Sequence, residues 1–113
     1  MPDLGAAGDL QEILDAADRI TTYIAGLDEA AFLARRQIAD AVAMNLLVIG
    51  EATRRIESAR LAAEPGIPWS RVIAMRNRIA HGYSSLQFNV IWAIASRELP
   101  ELRAAAARLL ASG

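Results

Sequence analysis

The chain has no cysteine and only one histidine, His81, in 113 residues. The first absence excludes disulfides and thiolate metal sites, and the second argues against an intrachain zinc site of the usual ligand set. Lysine is missing as well: all 12 basic residues are arginine, a bias that GC-rich coding alone can produce. Long apolar runs are scarce. The longest, AVAMNLLVIG at residues 41–50, is interrupted by Asn45 and is too short to span a bilayer. The opening MPDLGAAGDL lacks the basic n-region of a secretory leader. These absences lead to the expectation of a soluble, cytoplasmic protein that uses neither metal, thiol nor other cofactor.

Hydrophobic residues make up 54% of the sequence, but many are alanine, which favours helix and adds little volume to a core. That combination suits helices that approach one another closely. The length suits one domain, 1–113, able to bury roughly two thirds of its unfolded surface. Charge is unevenly placed. Residues 1–29 hold seven acids and one arginine, whereas residues 54–78 hold six arginines against Glu57 and Glu64. If those side chains converge, Arg54, Arg55, Arg71 and Arg78 are candidates for a phosphate-binding patch; solvated helix faces are the plainer reading.

Asp9 and Glu12 have capping-box spacing, and Leu10, Ile13, Leu14, Ala17, Ile20 and Ile24 recur with helical period. They predict a helix over about 9–25, ended by Gly26, with Asp28 capping the next. Phe32, Ile38, Val42, Leu46, Ile49 and Ile56 predict one long helix over about 29–63, bent near Gly50. The turn EPGIP follows, with Pro68 at the first position of a helix over about 68–82. Ser84 and Gln87 form a second capping-box pattern, opening a helix over about 85–111 that Pro100 kinks. No stretch alternates with period two. The predicted fold is all-α, a four- to five-helix up-and-down bundle.

The third helix ends in RNRIAHGY, residues 76–83. Asn77 and His81, four apart, share a helix face, and Arg76 and Tyr83, seven apart, share a neighbouring one. Trp69, Ile73, Arg76, Ala80 and Tyr83 have the 4-3-4-3 spacing of a packed seam, which puts an arginine at a seam position. A charge there needs a partner such as Glu51 or a polar cleft. On the structural reading, Arg76 pairs with such an acid and His81 and Tyr83 bond at a helix end. On the functional reading, the same groups form a phosphodiester site. Guanidinium meets phosphorane charge, imidazole moves protons, and amide and phenol orient the substrate. RNA can be cut this way by its own 2′-hydroxyl, without metal or protein nucleophile.

RNRIAHGY resembles the R-x4-H-x-Y motif of the HEPN superfamily. LLVIGEA at 46–52, IPW at 67–69, VIW at 90–92 and ELPEL at 98–102 narrow the resemblance to the HepT-like toxins, over about Ile13 to Leu110. The resemblance implies a HEPN-like helical bundle and a metal-independent endoribonuclease, the toxin of a type VII-like toxin–antitoxin module. Its implied partner is an MntA-like minimal nucleotidyltransferase that silences the toxin by AMP transfer. Carried onto this chain, the motif gives Arg76 and His81 as catalytic, Asn77 as positioning, and Tyr83 as the modified residue. Family members are homodimers with facing motifs, and two chains would also supply two histidines for an acid and a base. This chain departs from the family pattern after Phe32, where it reads LARR, and after Tyr83, where it reads SSLQF. Those departures keep open a non-catalytic nucleotide-binding or adaptor module that binds a nucleotidyltransferase.

Overall fold

The computed structural model describes residues 4–113, and residues 1–3 of the stretch read as lacking a leader lie outside them. The elements, in order, are α1 (Leu4–Ile24), α2 (Glu29–Leu33), α3 (Arg36–Arg54), α4 (Ser58–Leu61), α5 (Trp69–His81), a 3₁₀ turn (Tyr83–Ser85), α6 (Phe88–Ala93), a π turn (Ile94–Glu98) and α7 (Leu99–Ser112). The protein is all-α; among the described residues there is no strand and no helix long and apolar enough to cross a membrane. α1 packs between α3 and α7, and α5 packs on the other side of α3. Antiparallel pairing is visible in the cross-links. Arg55 at the end of α3 reaches Asp9 and Glu12 near the start of α1, and the turn after α5 reaches Asp40 near the start of α3.

Helix boundaries differ from the sequence expectation in several places. α1 already runs through Asp9, so Asp9 is no cap; buried Ala6, Leu10, Ile13 and Ala17 carry the apolar stripe upstream. The predicted helix over 29–63 is three helices. Phe32 and Ile38 are six residues apart, about 120° out of phase on one helix, so the chain breaks at Ala34 and Arg35 and Phe32 turns fully into the core. There its ring lies 5.2 Å from that of Trp92. Asp28 does cap α2, accepting the Ala31 N–H at 2.8 Å, after Gly26 turns the chain at a φ of 78°. α3 ends at Arg54, where a tight turn inserts Ile56 into the core and α4 adds Leu61. Gly50 is buried within α3, which runs unbroken past it to Arg54.

Ser84 and Gln87 do not form a capping box. Ser84 sits in the 3₁₀ turn, and Gln87 occupies the N-cap of α6 without a side-chain bond. Pro100 lies in the first turn of α7 rather than inside one continuous α-helix. A π turn precedes it, and the wider spacing accommodates a ring that would otherwise crowd the carbonyl four residues back. Pro68 is the N-cap of α5 rather than its first residue.

Candidate active site

α5 is fixed at both ends. The Trp69 indole N–H is shared between the carbonyls of Leu61 at 3.0 Å and Glu64 at 3.1 Å, which pins the helix start to the preceding turn. At the other end the Gly82 N–H closes on Arg78 O at 2.9 Å, and the chain folds back into the 3₁₀ turn. Between them α5 lies close against α3 at Gly50. A Cβ on Gly50 would overlap Arg76 Cβ and lie 3.1 Å from both Arg76 Cγ and the Val72 carbonyl oxygen. The absent side chain is what lets Arg76 sit against α3.

Arg76 is held there by Glu51, the acid that the seam spacing suggested. Its Nε donates to Glu51 Oε2 at 2.6 Å, with the two side chains 22% and 19% exposed. Nη1 donates to Asn77 Oδ1 at 2.9 Å. The other carboxylate oxygen of Glu51 accepts from Arg54. Hydrogen bonds from Arg54 first and Arg76 second hold the Glu51 carboxyl below its ordinary range. One carboxylate between two guanidinium groups leaves a net positive charge, with Nη2 of Arg76 bonded to no side chain among the described residues. Such a charge on an oriented guanidinium suits a phosphate.

α5 persists to His81, so Asn77 and His81 do share an exposed face. The His81 side chain makes no hydrogen bond or ion pair among the described residues. The expected seam is shifted. Trp69 and Ile79 are buried and Arg76 half-buried, but Ile73 is only half-buried and Ala80 is exposed. Tyr83 lies beyond the helix, so the seven-residue face shared with Arg76 does not form. Its hydroxyl instead donates to Asp40 of α3. Asp40 also accepts from Arg36 Nε at 2.9 Å, and the Arg36 guanidinium lies 4.6 Å from the centroid of the Phe88 ring and 6.0 Å from that of Tyr83. The two rings meet edge to face at 6.1 Å. Hydrogen bonds from Tyr83 and then Arg36 lower the Asp40 carboxyl, while burial and then Asp40 raise the Tyr83 phenol above its ordinary range.

Asp40 and Glu51 are eleven residues apart, which is three helical turns and about 16 Å along the axis of α3. One face of one helix thus anchors both the arginine and the tyrosine of the motif. The Asp40, Arg36 and Phe88 group escaped the sequence reading; the i, i+4 spacing of Arg36 and Asp40 was its only local signal. The arginines of residues 54–78 do not gather in one patch. Arg54 joins Arg76 on Glu51, Arg55 turns to Asp9 and Glu12 at 3.7 and 3.8 Å, and Arg60 donates to Leu109 O at 2.9 Å. Arg71 and Arg78 line a separate, largely apolar cavity of about 500 Å³ between α5 and the α6–α7 arm.

The fold and this site define an all-α bundle protein that carries an arginine, an asparagine and a histidine on the last turns of α5 and a tyrosine just beyond its end. The family model described as ribonuclease HepT-like matches residues 13–109, and the chain belongs to that family. Two proteins of Methanocaldococcus jannaschii named as candidate RNases are similar to it. One is 30% identical over 103 residues, 91% of this chain and 89% of the relative. The other is 28% identical over 94 residues, 83% of this chain and 86% of the relative. A protein of Thermococcus cleftensis named "Probable ribonuclease HepT" is 28% identical over 94 residues, again 83% and 86%. No solved structure matches the chain.

Proposed function

We propose that the protein is a metal-independent endoribonuclease toxin acting in the cytoplasm as a homodimer. The observation that carries this reading is Arg76, held half-buried by Glu51 with net positive charge around it, on the same helix as an exposed His81 five residues further on. The RNA 2′-hydroxyl attacks the adjacent phosphorus while Arg76 stabilises charge on the phosphorane oxygens. One imidazole takes the hydroxyl proton, and the imidazole of the second chain protonates the leaving 5′-oxygen. Asn77 fixes the guanidinium through its Oδ1. The nucleotidyltransferase partner silences the toxin by AMP transfer to Tyr83, whose side chain is accessible at the surface. The added phosphate and nucleoside place negative charge and bulk near the RNA path.

The test is induction of the wild type and His81→Ala in cells lacking the partner, with total RNA and growth followed together. Loss of RNA decay and of growth arrest in the variant, with folded soluble protein, is the expected result; an equally toxic His81→Ala chain would sink the proposal. The Arg76–Glu51 ion pair also fits a second reading, in which Arg76 is structural and the chain is a non-catalytic adaptor for the transferase. That reading requires a stable complex and no RNA turnover by the purified wild type. For the silencing step, Tyr83→Phe is expected to stay toxic in the presence of the partner.

A further inference from the structure

Asp40, Tyr83, Arg36 and Phe88 form a group with its own chemistry, three helical turns away from Glu51 and Arg76. A hydroxyl is bonded to a carboxylate, and that carboxylate is in turn oriented by a guanidinium at 2.9 Å. This is the general arrangement of an activated nucleophile: an attacking oxygen, a base in hydrogen-bond contact with it, and a third group that holds the base. The group is open to solvent, with the Arg36 and Asp40 side chains 64% and 46% exposed. The phenol is packed edge-on against Phe88, which fixes the direction of its ring.

We propose that Asp40 is the general base for nucleotidyl transfer to Tyr83, and that Arg36 holds the α-phosphate of the incoming ATP. The inference rests on the reading of Tyr83 as the AMP acceptor. The Tyr83 oxygen attacks the α-phosphorus, forming the phenol–phosphorus bond, as the bond from phosphorus to the pyrophosphate oxygen breaks. Pyrophosphate leaves with that electron pair. The phenol proton passes to Asp40 and on to water, and the product is a tyrosyl AMP diester. A base is needed because a phenol is protonated at neutral pH, and burial and the neighbouring carboxylate favour that form further. Phenol acidity rises steeply as its oxygen bonds to phosphorus, so an ionised carboxylate can accept the proton in the transition state. Arg36 balances Asp40 before transfer and faces the new phosphodiester after it. Once modified, Tyr83 can no longer donate to Asp40.

The experiment incubates purified wild type, Asp40→Asn, Asp40→Glu and Tyr83→Phe with ATP, Mg²⁺ and an MntA-like nucleotidyltransferase. AMP incorporation is followed by intact mass from pH 6.5 to 9.5. Asparagine keeps an acceptor for the phenol but cannot take its proton. The expected result is incorporation about 100-fold slower in Asp40→Asn near neutral pH. That gap is expected to narrow by up to about tenfold per pH unit as spontaneous ionisation of the phenol replaces the base, and Asp40→Glu recovers part of the rate. A purely anchoring role for Asp40 gives equal rates, or a loss that does not change with pH, and either outcome overturns the proposal. Thermal melting of each variant accompanies the rates, and the pH dependence of the ratio distinguishes base catalysis from a partly unfolded sample. If Tyr83→Phe gains the same mass as wild type, the acceptor lies elsewhere and the underlying reading of Tyr83 fails as well.

Discussion

Gly50→Ala separates local from tertiary effects with opposite signs. In an isolated helix this change stabilises by about 1 kcal/mol, because alanine restricts the unfolded chain and favours helix. In α3 the new methyl would overlap Arg76 Cβ, an atom fixed to the backbone of α5 that no rotamer change can move aside. The helices must separate, and overpacking of this kind costs about 1–3 kcal/mol. Set against the propensity gain, the net effect is a destabilisation of up to about 2 kcal/mol, a fall in melting temperature of up to roughly 10 °C for a domain of this size. Separation by about 1 Å also stretches the 2.6 Å bond between Arg76 and Glu51 beyond hydrogen-bonding range. A misplacement of that size costs about 100-fold in a catalytic step. Differential scanning calorimetry and an RNA-cleavage time course read the two effects on one sample. A variant that melts higher than wild type and cuts RNA at the wild-type rate would refute the claim that close approach at Gly50 positions Arg76.

Arg71→Ala with Arg78→Ala is expected to weaken RNA binding, and to reduce the slope of log affinity against log salt by about 1.4 if both side chains contact single-stranded phosphates. Fluorescence anisotropy between 50 and 300 mM salt reads this directly, and an unchanged slope would leave the cavity they line out of the RNA path. The ion pairs at Glu51 and Asp40 make stability depend on acid. Their carboxyls titrate lower in the folded chain than in the unfolded one. Their contributions are therefore complete above the ordinary carboxylate range and disappear as the pH falls through the lower folded values. Melting temperature is expected to drop below about pH 4.5, less steeply in Glu51→Gln than in wild type. Asn45→Ala removes the acceptor of Arg19 Nε at 2.8 Å and the donor to Ala41 O at 2.9 Å. Urea denaturation is expected to show a loss of about 1–3 kcal/mol.

The all-α class, the end of α5 at the motif, and the pairing of Arg76 with Glu51 were all legible from periodicity and from the cost of a charge in a packed seam. The break after α2 was written in the sequence too, as the six-residue interval between Phe32 and Ile38, but counting apolar residues hides a phase slip that only angular bookkeeping reveals. The false capping box at Asp9 failed for another reason. A cap competes with whatever precedes it, and here Ala6 continues the buried stripe, so the helix gains more by starting early. The π turn and the Asp40–Tyr83 contact have no local signature. Each depends on where a distant element lies: the first on how α7 must meet α1 after Pro100, the second on a chain reversal that brings residue 83 to residue 40.

Because α3 carries the anchors for both ends of the motif, the chain should tolerate changes in length very unevenly. Extra residues between α1 and α2 alter a surface connection and leave the anchors where they are. A single residue inserted between Asp40 and Glu51 turns one anchor by about 100° relative to the other and moves it about 1.5 Å along the axis. Loops can therefore lengthen or shorten across descendants of this chain while the eleven-residue interval within α3 stays constant, a ruler whose graduations are backbone hydrogen bonds.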